Sequence, residues 1–165
     1  MPEISREAFS EFLAETVLED ICLWEASIVR PNQQHEGERT YRFGEHAELV
    51  DADEHRAIIH ATYGVAQMAG DLEAVVLEVT MRAVYQTPEQ MSAEIFEQFR
   101  KLTLRLHTVP FAREWFRDAS GRMGIGSILL PLALAHPAAM PRRKGKTVKK
   151  EGRKKMVKET RKDAE

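Results

Sequence analysis

The 165-residue chain holds one cysteine, Cys22, so no intrachain bridge can staple it and a disulfide scaffold is excluded. It has no apolar run of the ~20 residues that a helix needs to cross a bilayer. Its first sixteen residues are acidic and carry no long apolar stretch, unlike a secretory leader, so a cytoplasmic location is expected. Nucleotide and nucleophile signatures are also missing. No Gly-Lys-Ser/Thr occurs, no serine sits in a nucleophile elbow, and Gly121, Gly124 and Gly126 run in the reverse order of a dinucleotide fingerprint. No pair among the six histidines has helical metal spacing, and Asp51, Asp53 and Glu54 lack the spacing and glycine of a calcium loop. The expectation is a protein that is not an enzyme and uses neither metal nor cofactor.

What is present is ordinary for a globular domain: 43% apolar and 30% charged residues. The net charge of −2 averages two opposite parts. Residues 142–165 hold 12 Lys+Arg against four acids, a net of +8, whereas the preceding 141 carry −10. The basic part has no aromatic residue and too little apolar surface to fold alone, and reads as a disordered tail. Residues 1–16 read as a helical extension, with Ser5 as its cap, and residues 17–141 as the folded domain.

Within that domain the apolar residues alternate. Strands are expected over residues 18–29, 40–50, 56–68 and 72–85, separated after the first by turns short enough to force antiparallel hairpins. Tyr41, Phe43, Ala47 and Leu49 share one face of the second strand, and Val75, Leu77, Val79, Met81, Ala83 and Tyr85 share one face of the fourth. The first strand is apolar on both faces, and Ile58, Val76 and Val84 fall on the side that should be wet, which predicts a second copy packed there. Period then changes from two to 3.6. Ile95, Phe99, Leu102 and Leu106 predict one helical face, starting at a Thr87 cap, broken at Pro110 and stopped by Gly121 and Gly124. An uncharged apolar strip follows from Ile125, split by Pro131, and demands a cover. The fold class expected is α+β: a four-stranded antiparallel sheet packed by a Pro-interrupted C-terminal helix.

Particular residues sharpen this. Pro110-Phe111-Ala112-Arg113-Glu114, then Arg122-Met123-Gly124, then Ile128-Leu129-Leu130-Pro131-Leu132, together with Asp20-Ile21 and Leu77-Glu78-Val79 in strands, resemble the SecB family of protein-export chaperones. The likeness spans roughly residues 18–134. Two departures stand out. Glu25 falls one residue late against the family's first strand, and His136-Pro137 and Pro141 interrupt the second long helix that family members carry.

The resemblance implies an ATP-independent holdase: unfolded or non-native client polypeptides held in an apolar groove, for export or as a stress or toxin–antitoxin chaperone. It implies a cytoplasmic homo-oligomer, a dimer or a dimer of dimers (tetramer). Groove candidates are Trp24, Tyr41, Phe43, Tyr85, Trp115, Met123, Ile125, Leu129 and Leu130, since methionine and aromatic side chains give adaptable apolar surface. Each is equally the kind of residue a core needs. Asp20, Glu25, Leu77 and Glu78 match the positions that would contact the SecA motor, though an ordinary solvated strand face explains them as well. The other reading is an RNA- or ribosome-associated protein acting through the basic tail, where nucleic acid would be held by phosphate contacts alone.

Overall fold

The computed structural model describes residues 4–29, 39–69 and 72–130. Residues 30–38 after the first strand, the apolar strip beyond residue 130 and the whole basic segment lie outside these. In chain order the elements are α1 (Arg6–Glu15), β1 (Val17–Val29), β2 (Arg39–Ala52), β3 (Arg56–Ala69), β4 (Leu72–Gln86), α2 (Ala93–Phe99) and α3 (Thr103–Arg122). The fold is α+β. One four-stranded antiparallel sheet has the order β1-β4-β3-β2, so β1 and β2 are its edges.

The alternation read from the sequence decides which face is covered. Ile59, Tyr63, Val65, Leu77, Val79 and Tyr85 point to the helix side and are buried. Leu104, Thr108, Ala112 and Phe116 answer them from α3 at steps of four, the spacing that keeps one helical face against a sheet. Tyr85 meets Phe99 edge to face with ring centroids 4.9 Å apart. Buried hydroxyls are satisfied in series. Thr108 donates to the Leu104 carbonyl at 2.8 Å, so its one proton is used and Tyr63 must donate to Thr108 across 2.6 Å. Burial pushes the Tyr63 phenol up to about 12, and burial likewise raises the Tyr85 phenol, which pairs with His107 Nδ1 at 3.0 Å. Both rings therefore serve as neutral groups.

The helical region departs from expectation in four ways. Thr87 does not cap a helix: it is buried, and its N–H donates to the His55 carbonyl at 2.9 Å, continuing the sheet. The cap is Ser92, whose hydroxyl accepts from the Ile95 N–H at 3.2 Å. The helix breaks at residues 100–102 and not at Pro110, with Leu102 at φ −129° and ψ −64°. That break turns the buried face, so Ile95 and Phe99 are inside while Leu102 and Leu106 are each 64% exposed. Pro110 lies within α3. The donor it lacks would have served the Leu106 carbonyl, and both residues are on the exposed side, where water can take that role. Gly121 is helical, and Gly124, at φ +68°, is the glycine that ends α3.

One ionic contact ties the second edge strand to this break. Glu45 of β2 lies 3.2 Å from Arg105 Nε. Burial raises the Glu45 carboxyl above its ordinary 4.5, against the opposing pull of Arg105 and Arg100.

The turned face predicts a contrast between neighbours two residues apart. Leu104→Ala should cost about 2–5 kcal/mol in urea unfolding, whereas Leu106→Ala should stay within about 0.5 kcal/mol when unfolding is followed at dilutions that keep the chain monomeric. A second outcome concerns Glu45. A raised folded value means the folded chain holds that proton more tightly, so the linked stability is full below pH 4.5 and is lost as pH rises through the raised value. Glu45→Gln removes this loss. The variant's urea midpoint should gain on the parent's as pH rises above 4.5.

Candidate functional site

A single helix laid over β3 and β4 leaves the β1 side of the sheet uncovered, and a groove of ≈ 480 Å³ opens there between β1 and α3. Its floor is Ile21 and Leu23 of β1 with Met81 of β4. Its wall is Phe111 and Trp115, one helical turn apart. Leu23 is 51% and Phe111 50% exposed, so apolar surface faces water. Cys22, the only cysteine in the chain, sits at the margin. The rim is charged but self-neutralised: Arg117 pairs with Glu114, and Arg122 with Asp118 at 3.0 Å. Such a trough offers apolar surface inside a wet polar rim, the usual division in small-ligand and peptide sites. Among the described residues no cluster of histidine, cysteine and carboxylates could hold a metal, and no helix is long and apolar enough to cross a membrane.

The chain beyond α3 closes the other end of the layer. Gly124 and Gly126, at φ +68° and +86°, reverse its direction. Ser120, fully buried, donates to the Arg117 carbonyl at 3.2 Å and accepts the Ile128 N–H at 2.9 Å. The strip then alternates: Ile128 and Leu130 enter the core, while Leu129 stays 49% exposed. Much of the cover this strip was expected to require is therefore supplied by the chain's own core.

The predicted groove residues separate into distinct places. Trp115 lines the groove. Phe43, Met123 and Ile125 are partly buried against the core, as Trp115 is. Tyr41 stacks on Phe43 at 6.5 Å near the far edge, and its hydroxyl accepts from Gln67 at 3.0 Å. Tyr85 and Leu130 are fully buried and offer a client nothing in this chain. Trp24 is on the opposite face of the sheet, its ring across Arg82 and His60. Asp20, Glu25 and Glu78 are exposed and share that face, but Leu77 points the other way into the core and cannot join them. Ile21, Leu23, Met81 and Phe111 line the groove without having been singled out. Their alternation and spacing were visible, but an apolar edge strand reads like a core strand until its neighbours are known.

The late Glu25 has a structural account. β1 carries a bulge between Leu23 and Glu25, so Leu23 pairs with Met81 and Glu25 pairs with Thr80. Trp24 is the extra residue, and Glu25 occupies the place that residue 24 would hold in a regular strand.

These features define a SecB-like fold: a four-stranded antiparallel sheet with β1 beside β4, followed by a C-terminal helix. The SecB-like chaperone Rv1957 of Mycobacterium tuberculosis, solved in complex with a ChAD peptide from the Rv1956 HigA1 antitoxin, superposes with a TM-score of 0.64. The match is 16% identical and covers 79% of this chain and 99% of that one. A protein of unknown function from Streptococcus agalactiae matches at 13% identity and a TM-score of 0.46, over 71% of this chain and 97% of that one. No protein-family model and no curated protein matches the sequence.

Ser120→Ala should leave the buried Ile128 N–H without a partner, at about 1–3 kcal/mol. Faster amide hydrogen exchange at Ile128 than in the core of β4 is the expected signature of a strip released at this end.

Proposed function

We propose that the chain is an ATP-independent holdase that keeps non-native polypeptides in the α3–β1 groove. The observation that carries this reading is the groove itself: apolar floor and wall, half-exposed Leu23 and Phe111, and rim charges that cancel locally. A trough of this kind selects apolar side chains without demanding a sequence. A client would gain affinity by wrapping several weak sites at once, on one subunit or on several. The peptide-bound SecB-like neighbour supports the same direction, because the fold there accommodates a segment of another protein.

Self-association belongs to the proposal. Of Ile58, Val76 and Val84, expected to need a second copy, Val76 and Val84 are already buried within the chain and Ile58 is half-buried. The uncovered apolar stripe is instead Leu102 and Leu106 on the outer side of the α2–α3 region, which suits a dimer or tetramer built helix to helix. We also propose a cytoplasmic location and a role in export or in stress or toxin–antitoxin control. The SecA-type contact would rest on Asp20, Glu25 and Glu78 alone, Leu77 being buried. The RNA-binding reading rests on the charge of residues 142–165, and the described residues add nothing to it.

The test is aggregation of a denatured protein, which the chain should suppress at near-stoichiometric ratio. Phe111→Ser should weaken client affinity by about tenfold, the effect of ~1.4 kcal/mol of lost apolar burial. Because Phe111 is half exposed, the variant should keep its thermal midpoint. A stable Phe111→Ser chain that suppresses aggregation as well as its parent would remove the groove from the mechanism.

A further inference from the structure

We infer that the face of the sheet turned away from α3 is the docking surface for this chain's own basic segment, residues 142–165. The strand register maps this face. One row across it runs Cys22, Arg82, His60 and Glu48, and the next runs Glu25, Thr80, Thr62 and His46. Glu78 lies on one side of these rows and Asp20 on the other. Asp20, Glu25, Glu48 and Glu78 are all exposed.

Among the described residues the ion pairs gather on the helix side, although Glu7, Glu11 and Glu94 there take part in none. Among the described residues, Glu45, Glu97, Glu114 and Asp118 on the helix side each have an arginine partner, and Glu19 meets Arg56 at the end of the sheet. Among the described residues Asp20, Glu25, Glu48 and Glu78 take part in no ion pair, and neither do Asp51 and Glu73, which share this face by register. The cations that could answer them are concentrated elsewhere in the sequence: 12 Lys+Arg in residues 142–165 against four acids. Trp24 supplies a second kind of contact. Its ring already lies 5.6 Å from the Arg82 guanidinium, and 58% of the residue remains exposed to receive another cation.

The competing occupant is a second copy, and the face is wrong for it. Its apolar residues Val76 and Val84 are buried and Ile58 is half-buried, so the large apolar groups left exposed are Val17 and Trp24 on edge strand β1, a small area to drive association. A two-fold contact would also bring the unpaired carboxylates of one copy near those of the other, which is unfavourable. Reach is not limiting. Eleven residues separate Leu130 from Arg142, an extended span of up to ~40 Å, against a sheet ~19 Å wide. A tether of that length keeps the segment at roughly millimolar effective concentration, enough for weak exposed pairs to act together. The docked segment would screen the bare face from any other cationic partner.

Carbodiimide cross-linking of the full chain at low salt, read by peptide mass spectrometry on a mixture of ¹⁴N and ¹⁵N protein, tests this. Lysines of residues 142–165 should join Asp20, Glu25, Glu48 and Glu78 of the same chain. The yield should collapse near 1 M NaCl, where the screening length falls to ~3 Å. Glu25→Gln with Glu78→Gln should lower the yield at Asp20 and Glu48 too, since the segment is held by the face as a whole. Links that join two copies overturn the inference. So do links spread evenly over helix-side carboxylates such as Glu7, Glu11 and Glu94, links insensitive to salt, or no links at all. No client is present in this experiment, so its failure leaves the holdase reading untouched.

Discussion

One geometric mismatch shapes the molecule: a single helix is too narrow to cover its sheet. α3 has 20 residues and spans about 30 Å by 10 Å. The strands have 13 to 15 residues, and four side by side make a surface of roughly 45 Å by 19 Å. The helix therefore covers about a third of one face. α2 fills part of the rest by burying Ile95, Phe96 and Phe99, and the strip after Gly124 fills more with Ile128 and Leu130. Phe12 of α1 adds another buried ring. What remains uncovered is the β1 side, and that remainder is the groove.

The placement of α3 depends in turn on the break at residues 100–102. A continuous helix would have carried Leu102 and Leu106 inward behind Ile95 and Phe99. The interruption instead lets α2 pack Phe99 on Tyr85 while α3 starts afresh with Leu104 and Thr108 against the sheet. Arg100 and Arg105 flank the break, and Arg105 reaches Glu45 on the second edge strand. The same turn that buries Leu104 exposes Leu106, so an apolar stripe outside is the direct consequence of a well-packed face inside.

Edge strand β1 shows how one extra residue can redirect side chains without disturbing the fold. A regular strand would place Trp24 and Glu25 on opposite faces. The bulge puts Trp24 out of register, preserves the pairing of Leu23 with Met81 inside the groove, and sets Glu25 opposite Thr80. A bulge also adds local twist and bends an edge strand, which discourages indiscriminate strand pairing.

The four strands were readable in the sequence to within two residues at each end, because a period of two with turn residues between runs is a local property. The Ser5 cap was readable for the same reason, and the SecB-like likeness followed from the order of those strands and the Pro110-Phe111-Ala112-Arg113-Glu114 segment. Other features depended on what each residue meets across the fold. Spacing alone marked Leu102 and Leu106 as core and Pro110 as a break, yet both outcomes turned on how α2 and α3 lie against Tyr85 and Tyr63. Nor could alternation distinguish Tyr85, buried at the centre, from Leu23, half exposed at an edge. Both are apolar residues on the helix-facing side of a strand, and only strand order says which has a neighbour on each side. Local sequence thus determined the elements and the charge they carry, whereas tertiary packing decided which apolar residues stayed exposed, because burial is a property of neighbours.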